Sequence, residues 1–134
     1  MCSSDLPPLL RRLDQTIVRI RETGSTGEIR YGADSILSMT ATECFQQNCW
    51  MGVSQPKAGD VQAVLDLGIE RFMWGSDYPH DEGTAPFTRE HLRQLFCDWP
   101  EDRMRMFLAG TAADLYHFDL DADRKSTRLN SSHT

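Results

Sequence analysis

Two short apolar runs separated by one amphipathic stretch constrain the fold more than any other feature of this sequence. Residues 49–53 and 72–74 are continuously apolar, which is typical of strands buried on both faces of a sheet. Between them, residues 60–67 carry apolar side chains at helical spacing, and Gly68 follows where a left-handed, helix-ending glycine is expected. A strand, a helix and a second strand in this order predict parallel strands joined by a right-handed crossover.

The flanking segments predict further helices and one long irregular stretch. Apolar residues recur at helical spacing after Pro7 and stop at Gly24, so we expect a helix between them. Residues 24–41 lose this periodicity and are expected to be mostly loop. Nearer the C-terminus the predicted helix starts are a cap at Thr88, an opening at Pro100 and a capping box over residues 111–114. The predicted fold class is α/β.

Composition limits the partners of the chain. The 134 residues are 40% hydrophobic and 25% charged, with a formal net charge of −6, values typical of a globular domain. The acidic balance disfavours nucleic acid as a partner, and no apolar run has the length of a membrane span. The four cysteines form no CxxC pair, and the N-terminus lacks a signal-peptide pattern. We therefore expect reduced thiols and a cytoplasmic location.

Both ends of the sequence have the character of translated sequencing adapter. Residues 123–133 match the translation of a common adapter codon for codon, and residues 1–6 match its reverse strand with GTG read as the start codon. We therefore expect residues 1–6 and 123–134 to be adapter-derived, and residues 7–122 to be the biological segment of a longer gene. This expectation removes Cys2 and His133 from any ligand set.

Asp77 is the strongest candidate for a catalytic or metal-binding residue. It follows the second apolar run after Gly75 and Ser76, where a buried strand would reach its loop. A carboxylate at the C-terminal end of a parallel strand can bind a divalent cation and accept a proton from water. The alternative is structural, because Gly-Ser-Asp is ordinary turn sequence and an Asp side chain binds nearby backbone N–H groups.

The run Trp-Gly-Ser-Asp-Tyr-Pro-His at residues 74–80 is the most specific motif of the chain. Together with residues 47–53 and 110–116, it resembles the C-terminal part of the amidohydrolase-related family. That family holds metal-dependent TIM-barrel hydrolases and decarboxylases, including relatives of aminocarboxymuconate semialdehyde decarboxylase. The resemblance implies that Asp77 ends the eighth strand, binds a divalent metal, expected to be Zn²⁺, and positions or deprotonates the attacking water.

The same resemblance implies a metal site that this chain does not complete. The family places a His-x-His pair on its first strand and single histidines on later strands, whereas the histidines of residues 7–122 are His80, His91 and His117. A TIM barrel also needs about 250 residues. We therefore expect the C-terminal part of a barrel, consisting of its last two strands and their helices. On its own such a chain is expected to be inactive and to lack stoichiometric metal.

Three neighbours of Asp77 are candidates for lining its site. His80 can be a ligand, a proton relay or a loop residue that binds its own backbone. Tyr78 stands between Asp77 and Pro79, whose ring restricts the backbone there. Trp74 is first a strand core residue and second an aromatic wall of a pocket.

Other reactive side chains have structural interpretations. Cys49 has no His or acid at the spacing of a nucleophile motif and is expected in the core. Trp50 is also expected in the core. Glu82 is expected to be a solvent-exposed charge in a loop. His91 and His117 lie in helical patterns and are expected either at the surface or packed against neighbouring side chains.

Three functions are compatible with these observations. The first is a metal-dependent hydrolase of a small-molecule substrate, with Asp77 as metal ligand and general base. The second is a metal-dependent decarboxylase on the same scaffold, whose distinguishing residues would lie upstream. The third is a small non-catalytic α/β binding module in which Asp77 forms a turn. The open edge of a two-stranded parallel sheet argues against the third function and predicts self-association.

Overall fold

The computed structural model describes residues 3–122, which fold into helices and two short sheets. In chain order the elements are α1 Leu6–Thr23, β1 Ser25–Thr26, β2 Ile29–Arg30, α2 Ala41–Asn48, β3 Met51–Val53, α3 Ala58–Leu67, β4 Phe72–Trp74, α4 Thr88–Phe96, α5 Glu101–Arg105 and α6 Thr111–Tyr116. The predicted α/β class is confirmed. Within residues 3–122 the sheets have two strands each and do not close into a barrel.

The predicted strand–helix–strand unit is present. β3 pairs with β4 in parallel, with Met51 opposite Phe72 and Val53 opposite Trp74. α3 connects the two strands, as the periodicity of residues 60–67 predicts, and begins two residues earlier at Ala58. This unit brings the C-terminal ends of β3 and β4 to the same edge of the molecule, because parallel strands run in one direction.

The placement of Cys49 and Trp50 in the core is wrong. Both residues are exposed, because α2 continues to Asn48 and the chain then turns into β3. The Trp50 ring instead packs against the guanidinium group of Arg71, 4.9 Å from the ring centroid. Such a cation–π contact holds an aromatic ring at the surface without burying it.

Gly68 ends α3, but its conformation is not the predicted left-handed helical one. Its φ is 102° and its ψ is 119°, and its N–H donates to the carbonyl oxygen of Val64 at 3.2 Å. The chain then makes a 3₁₀ turn over Ile69–Arg71 and enters β4. The positive φ still favours glycine at this position, since a Cβ makes that region unfavourable.

The helices cover one face of the parallel sheet. Phe72 is 0% exposed and lies at the centre of the core with Phe96 and Phe107. The rings of Phe96 and Phe107 lie 5.2 Å apart between centroids, a distance typical of favourable aromatic pairs. Burial of each such side chain stabilises the fold by about 1.5–3 kcal/mol, so this cluster fixes β4 against α4 and the C-terminal helices.

Among residues 3–122, nothing comparable covers the opposite face of this sheet. Side chains alternate between the two faces of a strand, so Gly52 and Met73, which pair in the register, point away from the face that carries Phe72. Gly52 is exposed, and nothing lies within 4 Å of a Cβ built on it. Met73 is half-buried. The parallel sheet is therefore covered by helices on one side only.

The helix predicted after Pro7 is confirmed as α1, and it packs against a helix that the sequence analysis missed. Gly24 ends α1 in the left-handed conformation, with φ 66° and ψ 14°. The missed helix, α2, begins after a capping box in which Thr40 and Glu43 exchange hydrogen bonds. β1 and β2 form a short antiparallel pair within residues 24–41, which are otherwise irregular as predicted.

A carboxylate joins α1 to α2. Asp14 accepts hydrogen bonds from the backbone N–H of Thr42 at 3.0 Å and from the Thr42 hydroxyl. Burial alone would raise the pKa of Asp14, but the hydrogen bonds from Thr42 outweigh it and lower the pKa overall. The ionised form of Asp14 therefore holds the two helices together.

The last predicted helix starts differ from the structure in two of three cases. Pro100 precedes α5 as predicted. Thr88 is the first residue of α4 rather than its cap, and its hydroxyl pairs with that of Thr84 at 3.0 Å. The capping box at residues 111–114 does not form, because a π-helical segment, Met106–Gly110, joins α5 directly to α6. The Thr111 hydroxyl instead donates to the carbonyl oxygen of Ile69 at 3.4 Å.

Residues 4–6, part of the N-terminal segment predicted to be adapter-derived, pack onto the rest of the described chain. Leu6 is 7% exposed, and the backbone N–H of Ser4 donates to a carboxylate oxygen of Asp60 at 2.7 Å. These contacts describe the packing of Ser4 and Leu6. The adapter origin of this segment stays a prediction. Residues 123–134, predicted to be the second adapter-derived end, lie outside the described residues.

The described residues include three of the four cysteines. Cys44, Cys49 and Cys97 are free and exposed. Across residues 3–122, the helices all fall short of the length and apolarity that crossing a bilayer would require.

Candidate active site

Asp77 lies just beyond the C-terminal end of β4. The strand ends at Trp74, and the N–H of Gly75 still donates to the carbonyl oxygen of Val53 at 3.2 Å, so the pairing with β3 extends one residue further. Asp77 then adopts a left-handed conformation with φ 57°, which Asp tolerates better than most residues. The turn predicted for this position is therefore present, and it directs the chain away from the strand.

The Asp77 carboxylate faces the ring of His80. Oδ1 of Asp77 lies 3.8 Å from Nδ1 of His80, and the two side chains are 36% and 74% exposed. That distance is too long for a direct hydrogen bond, and an exposed pair contributes little to stability. The arrangement leaves the carboxylate with free lone pairs, in reach of solvent and of a neighbouring imidazole.

Backbone hydrogen bonds close the loop that follows Asp77. The N–H of His80 donates to the carbonyl oxygen of Asp77, and the N–H of Gly83 donates to that of His80, both at 2.9 Å. The N–H of Thr84 then donates to the carbonyl oxygen of Ser76 at 3.2 Å. Residues 76–84 thus form a loop closed across its base, which we call the Asp77 loop.

The other predicted neighbours differ in exposure. Tyr78 is 75% exposed, and the Tyr78–Pro79 peptide bond is cis. Trp74 is packed against the core as predicted, but its indole N–H is buried and has no acceptor among the described residues. The structure thus brings the Asp77 and His80 side chains close together, whereas the Tyr78 ring is exposed to solvent.

Comparison with known proteins places part of the chain in a family. Residues 55–118 match the family model described as amidohydrolase. This segment is similar to amidohydrolases. The matched segment contains α3, β4, the Asp77 loop and the C-terminal helices, which amounts to just under half of the 134 residues. No curated protein matches the chain significantly. The resemblance inferred from residues 74–80 is confirmed at the level of the family.

The amidohydrolase-related segment does not contain a complete metal site in the part of the chain that is described. Residues 3–122 hold no group of three or more His, Cys, Asp or Glu side chains placed to bind one ion. A catalytic zinc site takes three protein ligands and keeps one position open. Asp77 and His80 supply two candidate groups at most. The described residues therefore do not fit a self-contained metal centre.

A cavity of about 320 Å³ opens at the same end of the sheet as Asp77. Its lining comes from the segment after β3, from the Asp77 loop and from the start of α4: Gln55, Lys57, Gly83, Thr84, Phe87 and His91. His91 is fixed there by a 3.0 Å hydrogen bond between its Nε2 and the carbonyl oxygen of Pro56. A larger cavity, of about 760 Å³, lies along α5 and the π-helical segment and includes no residue of the Asp77 loop.

The sequence analysis did not identify Gly83 and Lys57 as residues that line the cavity at this end of the sheet. Lys57 directly precedes α3 and lies beyond the C-terminal end of β3, the strand that pairs with β4. The rule that ligands bind beyond the carboxyl ends of parallel strands would have singled out that position. Gly83 carried no such signal, because its role depends on contacts with the loop that precedes it.

Proposed function

We propose that this chain contributes Asp77 to the active site of a metal-dependent hydrolase that acts on a small molecule. The observation that carries the proposal is the position of Asp77, beyond the C-terminal end of a parallel strand and within the amidohydrolase-related segment. Barrel enzymes keep their catalytic residues at this end of their strands. The open lone pairs of the carboxylate support the same assignment, as does the cavity at this end of the sheet, which Gly83 and Thr84 of the Asp77 loop line.

The proposed function requires a larger fold than the one that the described residues form. Parallel sheets are normally covered on both faces, whereas β3 and β4 have helices on the face of Phe72 and little on the face of Gly52 and Met73. We infer that residues 7–122 are the last two strands of a TIM barrel with their helices, between adapter-derived ends. Further strands of the same enzyme would then cover the open face. On this proposal the enzyme is a cytoplasmic protein.

Asp77 acts as a proton acceptor in this proposal. Its carboxylate oxygens are exposed enough to meet a water molecule, and they can take a proton from it as the water attacks an acyl carbon. Nδ1 of His80 lies 3.8 Å from Oδ1 of Asp77. A rotation of the exposed His80 ring that brings the two atoms into hydrogen-bond distance would let it take up that proton and pass it to solvent. Asp77 is also the residue of this chain proposed to bind the divalent metal of the complete enzyme, expected to be Zn²⁺. Since the described residues do not complete that site, no reaction step is assigned to the metal.

A metal-content measurement tests whether the site is complete in this chain. The purified chain is incubated with excess Zn²⁺, freed of loosely bound metal on a desalting column and analysed by mass spectrometry. Because thiols also bind zinc, the measurement uses a variant with all four cysteines, Cys2, Cys44, Cys49 and Cys97, changed to Ser. We expect far less than one zinc per chain. One tightly bound zinc that disappears in Asp77→Asn would contradict the proposal that ligands from other strands are required.

The catalytic role of Asp77 is tested in the protein expressed from the complete gene. Asp77→Asn removes the proton acceptor and keeps the shape of the side chain, so kcat should fall by about 10²–10⁴-fold. Glu82→Gln is the matched control, because Glu82 is an exposed carboxylate of the same loop, and its activity should stay near that of the wild type. Full activity in Asp77→Asn would refute the assignment, and release of carbon dioxide from the substrate would indicate a decarboxylase instead.

A further inference from the structure

Gly83 lies where three backbone carbonyl oxygens converge. A Cβ built on Gly83 would be 2.9 Å from the carbonyl oxygen of His80, 2.9 Å from that of Ser76 and 3.2 Å from that of Asp77. Carbon and oxygen atoms that are not bonded pack at roughly 3.3 Å or more. All three neighbours are backbone atoms, so none can swing aside as the end of a long side chain would. Any side chain at position 83 therefore has to displace the backbone.

The same three oxygens hold the Asp77 loop closed. They accept the N–H groups of Thr84, His80 and Gly83, at distances of 2.9–3.2 Å. Two of them belong to the peptide groups on either side of the Asp77 Cα atom, because the Ser76 carbonyl precedes it and the Asp77 carbonyl follows it. Rotation of either peptide group turns the bond from Cα to Cβ, and with it the direction of the carboxylate.

We propose that Gly83 is a positioning residue for the Asp77 carboxylate. By lacking a side chain, it lets the base of the Asp77 loop close, and the closed base fixes both peptide groups of Asp77. Its functional meaning rests on the catalytic role proposed for Asp77. The requirement for glycine is steric, since the φ of Gly83 lies outside the left-handed region that favours glycine at other positions.

The loop offers a matched control at its other end. Gly75 precedes Ser76, and nothing lies within 4 Å of a Cβ built there. Gly75 directly precedes the Asp77 loop and Gly83 lies within it, so Gly75→Ala and Gly83→Ala add the same methyl group at its two ends, one into open space and one into the carbonyl cluster. Both variants keep every backbone N–H, so a difference between them reports the contact at position 83.

The test uses isotope-labelled full-length chain and nuclear magnetic resonance. Two readouts apply: the hydrogen-exchange rate of the Thr84 amide, and the Overhauser contact between the Asp77 side chain and the His80 ring. In Gly83→Ala we expect exchange roughly fivefold faster, as for loss of one hydrogen bond, and loss of the Asp77–His80 contact. Gly75→Ala should keep both, and the core resonances of Phe72 and Phe96 should stay unchanged in both variants.

A second variant covers the case in which Gly83→Ala does not fold. Thr84→Pro replaces the N–H that binds the Ser76 carbonyl with a ring carbon. It therefore breaks the closing hydrogen bond from a different residue and should abolish the same Overhauser contact. The proposal is overturned if a folded Gly83→Ala keeps the Thr84 protection and the Asp77–His80 contact, or if Thr84→Pro keeps that contact. These readouts involve no turnover. A catalytically dispensable Asp77 would therefore refute the proposed function and leave the role of Gly83 in the loop geometry intact.

Discussion

The link between Asp14 and Thr42 allows a quantitative prediction about stability. Asn at position 14 keeps the shape of the side chain but removes its charge, and it presents one acceptor oxygen where Asp14 uses two. One hydrogen bond is lost and the other is weakened. A hydrogen bond to a charged group contributes about 1.5–3 kcal/mol, and the partial exposure of Asp14 reduces this. We expect Asp14→Asn to lower the free energy of unfolding by about 1 kcal/mol at pH 7.

The pH dependence of this difference follows from the direction of the pKa shift. The hydrogen bonds from Thr42 lower the pKa of folded Asp14 despite the opposing effect of burial, whereas the unfolded chain has the ordinary value of about 3.9. A lowered folded-state pKa gives stability that is present above the unfolded pKa and is lost as pH falls through the folded one. The difference between wild type and Asp14→Asn should therefore be full at pH 7 and 5 and should shrink below about pH 4.

Urea denaturation followed by circular dichroism at pH 7, 5 and 3 measures this difference. The pKa of Glu43 is also lowered, by the backbone and side-chain hydrogen bonds of Thr40. Glu43 is present in both proteins, and the charge of Asp14 is the smallest of the causes that act on its pKa, so most of its contribution cancels. Asp98→Asn is the control, because Asp98 is exposed and should give almost no difference at any pH. A difference that is the same at all three pH values, or absent at pH 7, would refute the reasoning.

Two further predictions concern the core and the open face of the sheet. Phe72→Ala should lower the free energy of unfolding by about 3–5 kcal/mol, because Phe72 is fully buried. Leu13→Ala, at an exposed position, should lower it far less. Equal losses of the two variants in urea titrations would contradict the placement of Phe72. Met73→Ser should weaken self-association in analytical ultracentrifugation, because Met73 lies on the uncovered face, while Tyr116→Ser on α6 should leave it unchanged. Association that responds only to Tyr116→Ser would place the contact elsewhere.

The parts of the fold that sequence predicted best are those in which local pattern and tertiary packing agree. Val61 and Val64, predicted on one face of α3, pack in or against the core, although Leu65, predicted on the same face, is exposed. Phe72 opens an apolar run that becomes β4. α2 was missed because it buries only Phe45, which leaves no hydrophobic stripe. Its signal was instead the pair Thr40 and Glu43, a capping box that the sequence displays openly.

The errors arise where neighbouring structure overrides a local rule. Thr111 has the spacing of a capping box, but it continues a helix that arrives through the π-helical segment. Cys49 has the apolar neighbours of a strand residue, but the extent of α2 leaves it at the surface. No pattern in a single sequence reports either effect, since both depend on where the preceding element ends.

The candidate site was predictable in its residue types and not in its geometry. The run at residues 74–80 placed Asp77 after a strand and His80 beside it, and the structure brings the two side chains to 3.8 Å. The convergence of the carbonyl oxygens of Ser76, Asp77 and His80 on Gly83 could not be read from sequence. It depends on how the loop closes on itself.

The π-helical segment Met106–Gly110 has a consequence for how this protein can change during evolution. A π turn holds one residue more than an α turn, and each residue of an α-helix advances the side-chain direction by about 100°. Deletion of one residue in this segment would convert the π turn into an α turn and keep α6 in nearly the same orientation relative to α5. Insertion of one more residue would instead rotate α6 by about that angle and take Thr111 away from Ile69. Loss of one residue should therefore be tolerated in this segment, whereas gain of one should not.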